Sequence, residues 1–258
     1  MTTVHEVLKF LFELAPESMK EEWDHVGLQC GHLEAPVHRV LVALDPFQDV
    51  LEEAVEQGAE LIVAHHPLLF HPVYHVTDED AVGRVLLRAA ETGCAIISMH
   101  TNLDAAPGGV NDCLAQKLGL SGTIPLNEQK IGRIGTLSCE IPLEQFLHDV
   151  VKSLGCRGLR YRSGGRPVRR VAVGGGACGE YIPQALAQGC DTFVTSDLRY
   201  NDFLDTQGLN LIDAGHFPTE DVVCAEVVRH LQKAFPDIRV SKSAVHHDAV
   251  QYYMTEGE

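Results

Sequence analysis

Short, unbroken apolar runs alternate with helix-period segments along this chain, and the alternation occurs twice. The first series has apolar runs at residues 40–44, 61–64 and 95–99, with helical patterns at 50–57 and 81–92 between them. Runs this short, bounded by turn residues, predict strands covered on both faces in consecutive βαβ units. Residues 131–166 read as a strand, a helix opened by Pro142 and a second strand. The alternation then resumes at 171–173, 193–195 and 209–212, and a final helix is expected over 219–234. The two series superpose. Arg39, Val40 and Val42 lie over Arg170, Val171 and Val173. At the same offset Gln57 and Gly58 lie over Gln188 and Gly189, and His65 and His66 over Ser196 and Asp197. After one indel, His100 and Asp104 lie over His216 and Glu220. Matches in series favour an internal duplication over chance resemblance of βαβ units. The expected halves are residues 1–126 and 127–258, the second including a short middle insertion at about 131–166.

The matched positions carry the chemistry. His65, His66 and Pro67 end one apolar run, and the proline indicates that the chain is already turning there. His100 and Asp104 follow the next run. His216 and Glu220 follow its counterpart in the second series, with Pro218 suited to the first turn of a helix. Each residue alone has an ordinary explanation: a hydrogen-bonded histidine, a turn aspartate, a helix-capping glutamate. The set does not. His65, His66, Asp104, His216 and Glu220 form a mixed nitrogen and oxygen inventory suited to Zn, Mn or Fe. Five ligands exceed what one catalytic zinc with an open position takes. They suit two ions about 3.5–4 Å apart that share a carboxylate. The expected fold is therefore α/β, with two related lobes produced by internal pseudo-duplication and a dinuclear metal site between them.

Composition narrows the partners. The 258 residues carry a formal charge of -16, from 36 acidic and 20 basic side chains. Such a surface disfavours nucleic acid and anionic membranes, and the arginine-rich stretch at 157–170 is broken by Gly and Pro in the manner of a solvated hairpin. No apolar stretch approaches the ~20 residues a bilayer span needs. Near the N-terminus, Thr3 and Glu6 form a capping-box pattern, and Glu6 and Lys9 interrupt the apolar run, so the segment reads as a helix and not as a signal peptide. The eight cysteines form no CxxC pair, which fits reduced core thiols and a cytoplasmic location. Gly174, Gly175 and Gly176 lack the spacing of a phosphate or dinucleotide loop and read as a tight turn. His246, His247 and Asp248 read as a solvated polar tail.

Four motifs then occur in order. They are Trp23, Asp24, Gly27, Leu28, Gln29 and Gly31; His65, His66 and Pro67; His100, Leu103 and Asp104 with Gly108, Gly109 and Asn111; and Asp213, Gly215, His216, Thr219 and Glu220. Together they resemble the family of GTP cyclohydrolase I type 2 homologues, also called Nif-three-like proteins. The resemblance implies a two-lobed α/β protomer, a toroidal homohexamer and two divalent ions per chain. It implies that His66 and Asp104 hold one ion, His65 and His216 the other, that Glu220 bridges them, and that His100 sits beside the site; proton transfer in catalysis is assigned to His100 or a nearby carboxylate, His100 first. The implied activity is metal-dependent hydrolysis that opens the guanine ring of GTP with an activated water. The alternative is a non-catalytic metal-binding ring-shaped scaffold or regulatory protein. His25 and Asn201 depart from the family pattern, which often has Asn and His at these places, and the chain lacks the insertion domain of longer members.

Overall fold

The computed structural model describes residues 1–253 of the chain, and it divides them into two compact units, each built from two separated stretches of sequence. In chain order the first unit opens with α1 (Val4–Leu14), β1 (Gly27–Cys30), β2 (Arg39–Ala43), α2 (Gln48–Gln57), β3 (Leu61–Ala64), α3 (Ala81–Thr92), β4 (Ala95–Ser98) and α4 (Thr101–Ala105). The second unit contains α5 (Val110–Lys117), β5 (Ser121–Pro125), β6 (Arg133–Ile141), α6 (Leu143–Leu154), β7 (Arg160–Arg162), β8 (Val168–Val173), α7 (Ile182–Ala187), β9 (Thr192–Thr195), α8 (Tyr200–Asp205), β10 (Asn210–Asp213) and α9 (His216–Glu220). The chain then returns to the first unit through α10 (Val222–Ala234) and β11 (Arg239–Lys242).

The expected strands and helices form where the patterns place them. The Thr3–Glu6 capping box closes both ways, and α2, α3 and α6 each end on a left-handed glycine. In the first unit the sheet order is β1-β4-β3-β2-β11, and β2, β3 and β4 are parallel. In the second the order is β5-β6-β8-β9-β10-β7, and β8, β9 and β10 are parallel. The matched runs of the sequence thus occupy matched places in the two sheets. Both series also end on an antiparallel edge strand, β1 beside β4 and β7 beside β10. Each sheet is packed by its own apolar set. Leu41, Ile62 and Ile96 meet Leu51, Ala54 and Val85 in the first unit, and Val171, Val194 and Ile212 meet Leu114, Phe146 and Val150 in the second.

Several details differ from the expectations. The division is not a single cut after residue 126. The units are Met1–Pro107 with Val223–His247, and Gly108–Val222 with the tail from Asp248. The reason is β11, which follows α10 without a buried apolar run of its own, finds the open edge of β2 and pairs with it in parallel. Glu53 of α2, buried, accepts from the Ser243 hydroxyl and the Ala244 N–H just beyond β11, which fixes the return. The stretch at 131–166 is not an appendage either: β6 pairs with β8 and β7 with β10, so both belong to the second sheet. The helix expected over 219–234 is split into α9 and α10. Among the described residues no helix is long and apolar enough to cross a membrane.

Candidate metal centre

In the first unit, the parallel ladder runs on past β3 into the histidine pair. His65 N–H donates to the Ala43 carbonyl and His66 N–H to that of Leu44, so both backbones stay in register as the side chains reach the strand end. His65 is almost fully buried, and its Nδ1 lies 2.8 Å from the Met99 carbonyl. A carbonyl only accepts, so Nδ1 carries the proton and Nε2 keeps the lone pair. His66 Nδ1 lies 2.7 Å from Asp45 Oδ1, which sets the same tautomer. His100 caps the short helix α4, and its Nδ1 lies 3.1 Å from Asp24 Oδ1. Ligand nitrogens of His65, His66 and His100 lie within 4.8 Å of one another. Asp104, on α4 and buried, brings Oδ1 to 3.7 Å from His65 Nε2.

The carboxylates behind these rings are themselves held. Burial alone would raise the Asp24 carboxyl, but hydrogen bonds from His100 and from the Thr101 hydroxyl and N–H outweigh it and hold it well below the usual carboxylate range. Asp45 is held down in the same way. Burial opposes ionisation there, and contacts from His246 and His66 outweigh it. His246 is therefore not part of a solvated tail. Its Nε2 lies 3.0 Å from Asp45 Oδ2 and its side chain is mostly covered, because β11 carries the following segment back to the first sheet. His247, by contrast, is exposed and turns to the Val245 carbonyl.

In the second unit, His216 opens α9 and Glu220 ends it. The four-residue spacing puts both on one helical face, with Nε2 and Oε2 3.0 Å apart. His216 Nδ1 lies 2.5 Å from Asp197 Oδ2, just beyond β9. Asp197 is the position that the duplication aligns with His66, so the second series has a carboxylate supporting a histidine where the first has the histidine itself. Partial burial disfavours the His216 imidazolium, yet Asp197 and Glu220 outweigh it and push its pKa up to about 10. A bound divalent cation would replace that proton.

The glycine turn after β8 is structural, as its spacing indicates, but its position was not legible from the motif. Gly175 N–H donates to Asn111 Oδ1 and Gly176 N–H to Thr219 Oγ1. Gly176 has φ +65°, and a Cβ there would sit 2.1 Å from Glu220 Oε1. The turn is thus a cradle that only glycine leaves open for the carboxylate. His25 points outward, its backbone N–H donating to Asp24, and Asn201 is exposed on α8.

Four histidines therefore share one construction: Nδ1 is anchored on an oxygen and Nε2 is presented. Metal-ligating histidines are held in this way, with the second nitrogen on a carboxylate or carbonyl. With two buried carboxylates nearby in their own units, the donor set fits a divalent ion of the Zn, Mn or Fe type.

Comparison with known proteins agrees with the motif order. The family described as Duf34/NIF3 (NGG1p interacting factor 3) matches residues 2–249. A Clostridium perfringens protein named GTP cyclohydrolase 1 type 2 homolog is 33% identical, over 87% of this chain and 89% of its own length. Among solved structures, a Bacillus cereus protein related to NIF3 aligns with TM-score 0.93 at 26% identity, over 98% of this chain and 99% of that one. A Staphylococcus aureus protein described as hypothetical aligns with TM-score 0.91 at 28% identity, over 97% and 99% of the two chains. From the ordered motifs, the two mixed α/β sheets and these matches, the chain belongs to the Duf34/NIF3 family.

Proposed function

We propose that this protein is a dinuclear metal-dependent hydrolase whose substrate is a nucleotide, with GTP the first to test. The observation that carries the reading is the shared anchoring of His65, His66, His100 and His216, each held through Nδ1 on an oxygen acceptor. In this reading His66 and Asp104 hold one ion, His65 and His216 the other, and Glu220 serves both. Two ions of this kind lower the pKa of a bound water and polarise the atom it attacks. The name of the Clostridium relative supports a purine nucleotide as the substrate class.

The protein's own part is orientation and proton movement. Met99, Asp45 and Asp197 fix the rings of the three histidine ligands, and the Gly175–Gly176 turn leaves room for the Glu220 carboxylate. His100, anchored by Asp24, is assigned the proton transfer at the reacting atom. The reading also places the protein in the cytoplasm as a homohexameric ring, with no nucleic-acid or membrane partner.

The test combines elemental analysis with a hydrolysis assay. Untagged protein is expected to hold up to two divalent ions per chain, and Glu220→Ala to lower occupancy at both positions. His100→Ala is expected to keep its metal and lose about 10²–10⁴ in turnover. Metal-loaded protein that converts neither GTP nor other nucleotides above a metal-stripped blank would reject the hydrolase and favour the ring-shaped scaffold. Light scattering at the monomer mass across the micromolar range would reject the ring.

A further inference from the structure

Two large aromatic rings of the first unit stand in solvent beside the histidine cluster. Trp23 is 55% exposed and Phe70 is 51% exposed. Their centroids are 5.7 Å apart with planes tilted by 55°. Both present themselves to His100, Trp23 at 5.8 Å and 73° and Phe70 at 6.3 Å and 72°. His100 in turn packs edge-on against His65 and His66, at 5.3 and 5.7 Å. Trp23, Phe70 and His100 thus form one continuous surface, apolar at one end and carrying an imidazole at the other, with His66 beside it and the buried His65 behind.

The backbone under this surface is fixed. Asp24, next to Trp23, is buried and accepts from His25, His100 and Thr101. Glu21 N–H donates to the Thr101 hydroxyl, and Lys20 Nζ donates to the Asp24 carbonyl. On the other side Leu68 is buried, and Leu69 N–H donates to Gln29 Oε1. Trp and Phe bury large areas when they can, so holding both outward on pinned backbone leaves apolar area in water. A ligand that stacks on them would recover it.

We propose that Trp23 and Phe70 form a stacking platform for a planar heteroaromatic ring, a purine base in the first instance, whose polar edge meets His100 where it borders His65 and His66. Stacking suits such a ligand because every base has a π-face, while its edge nitrogens and oxygens suit the His100 imidazole. Turnover of the bound ring rests on the proposed nucleotide reading; binding to the platform does not.

Trp23 is the one tryptophan of the chain, so tryptophan fluorescence reports on the platform alone. The metal-loaded full chain is titrated with GMP and, in parallel, with ribose 5-phosphate. GMP is expected to quench Trp23 saturably, and ribose 5-phosphate to leave it unchanged at equal concentration. Phe70→Leu, which keeps apolar bulk but removes the aromatic face, is expected to weaken GMP binding about tenfold, and Phe70→Tyr to restore it. Trp23→Phe, followed by calorimetry, is expected to bind and Trp23→Ala to lose at least as much as Phe70→Leu. Equal quenching by ribose 5-phosphate, absence of GMP binding, or parental affinity in Phe70→Leu would overturn the platform. So would a Trp23 that acrylamide cannot reach in the ligand-free assembly, which would assign the rings to contact with a second copy. GMP binding by this pattern without turnover of any nucleotide rejects the hydrolase and leaves the platform standing. Turnover of GTP with an unchanged KM in Phe70→Leu does the reverse.

Discussion

Replacing Asp45 with Asn tests whether the support behind His66 matters to metal binding. The Asp45 carboxylate lies 2.7 Å from His66 Nδ1 through one oxygen and 3.0 Å from His246 Nε2 through the other. An amide keeps one acceptor oxygen and turns two donor hydrogens toward the remaining histidine. One charge-assisted hydrogen bond is lost, a change of about 1.5–3 kcal/mol. Passed on to the orientation and basicity of His66, that corresponds to about 10–100-fold in metal affinity. His246→Ala leaves the Asp45–His66 bond in place and is expected to lose less, up to about tenfold. Affinities would be read by competition with a chromogenic chelator, with circular dichroism showing that both variants fold. Parental affinity in Asp45→Asn, or a larger loss in His246→Ala than in Asp45→Asn, would refute this account of the support.

Gly176→Ala places a Cβ against Glu220 Oε1 at a left-handed φ, so it should displace the carboxylate and lower metal occupancy; elemental analysis at the parental level would count against the cradle. Asp24→Asn should lose at least one of the bonds to His100, His25 and Thr101, and destabilise the chain by about 2–4 kcal/mol in chemical denaturation. Its midpoint should fall with little change in slope. Burial pushes the thiol pKa of Cys94 up to about 12 and those of Cys156 and Cys190 up to about 11. Iodoacetamide on native protein at pH 8 should therefore modify the exposed Cys139 first and leave these three for the unfolded chain, as mapped by mass spectrometry.

The motifs that placed this chain in its family lie where local pattern and chemistry coincide. A four-residue apolar run declares a covered strand because both its faces must be buried, and the residues just after it fall at the sheet's end, where ligands gather. That is why His65, His66, Asp104, His216 and Glu220 could be picked out without coordinates, and why the two series could be aligned. Edge strands gave no such signal. β1, β5 and β11 are short and partly exposed, and their place depends on which strand offers an open edge. β11 reaches β2 across most of the chain's length, and with it His246 reaches Asp45, a juxtaposition that no local period encodes. The same holds for the Nδ1 acceptors, the glycine cradle of Glu220, and Trp23 beside Phe70 and His100. Sequence determined which side chains end the strands, because burial periodicity is local. Tertiary structure decided what holds and surrounds them, because those partners come from long-range pairing of backbone edges.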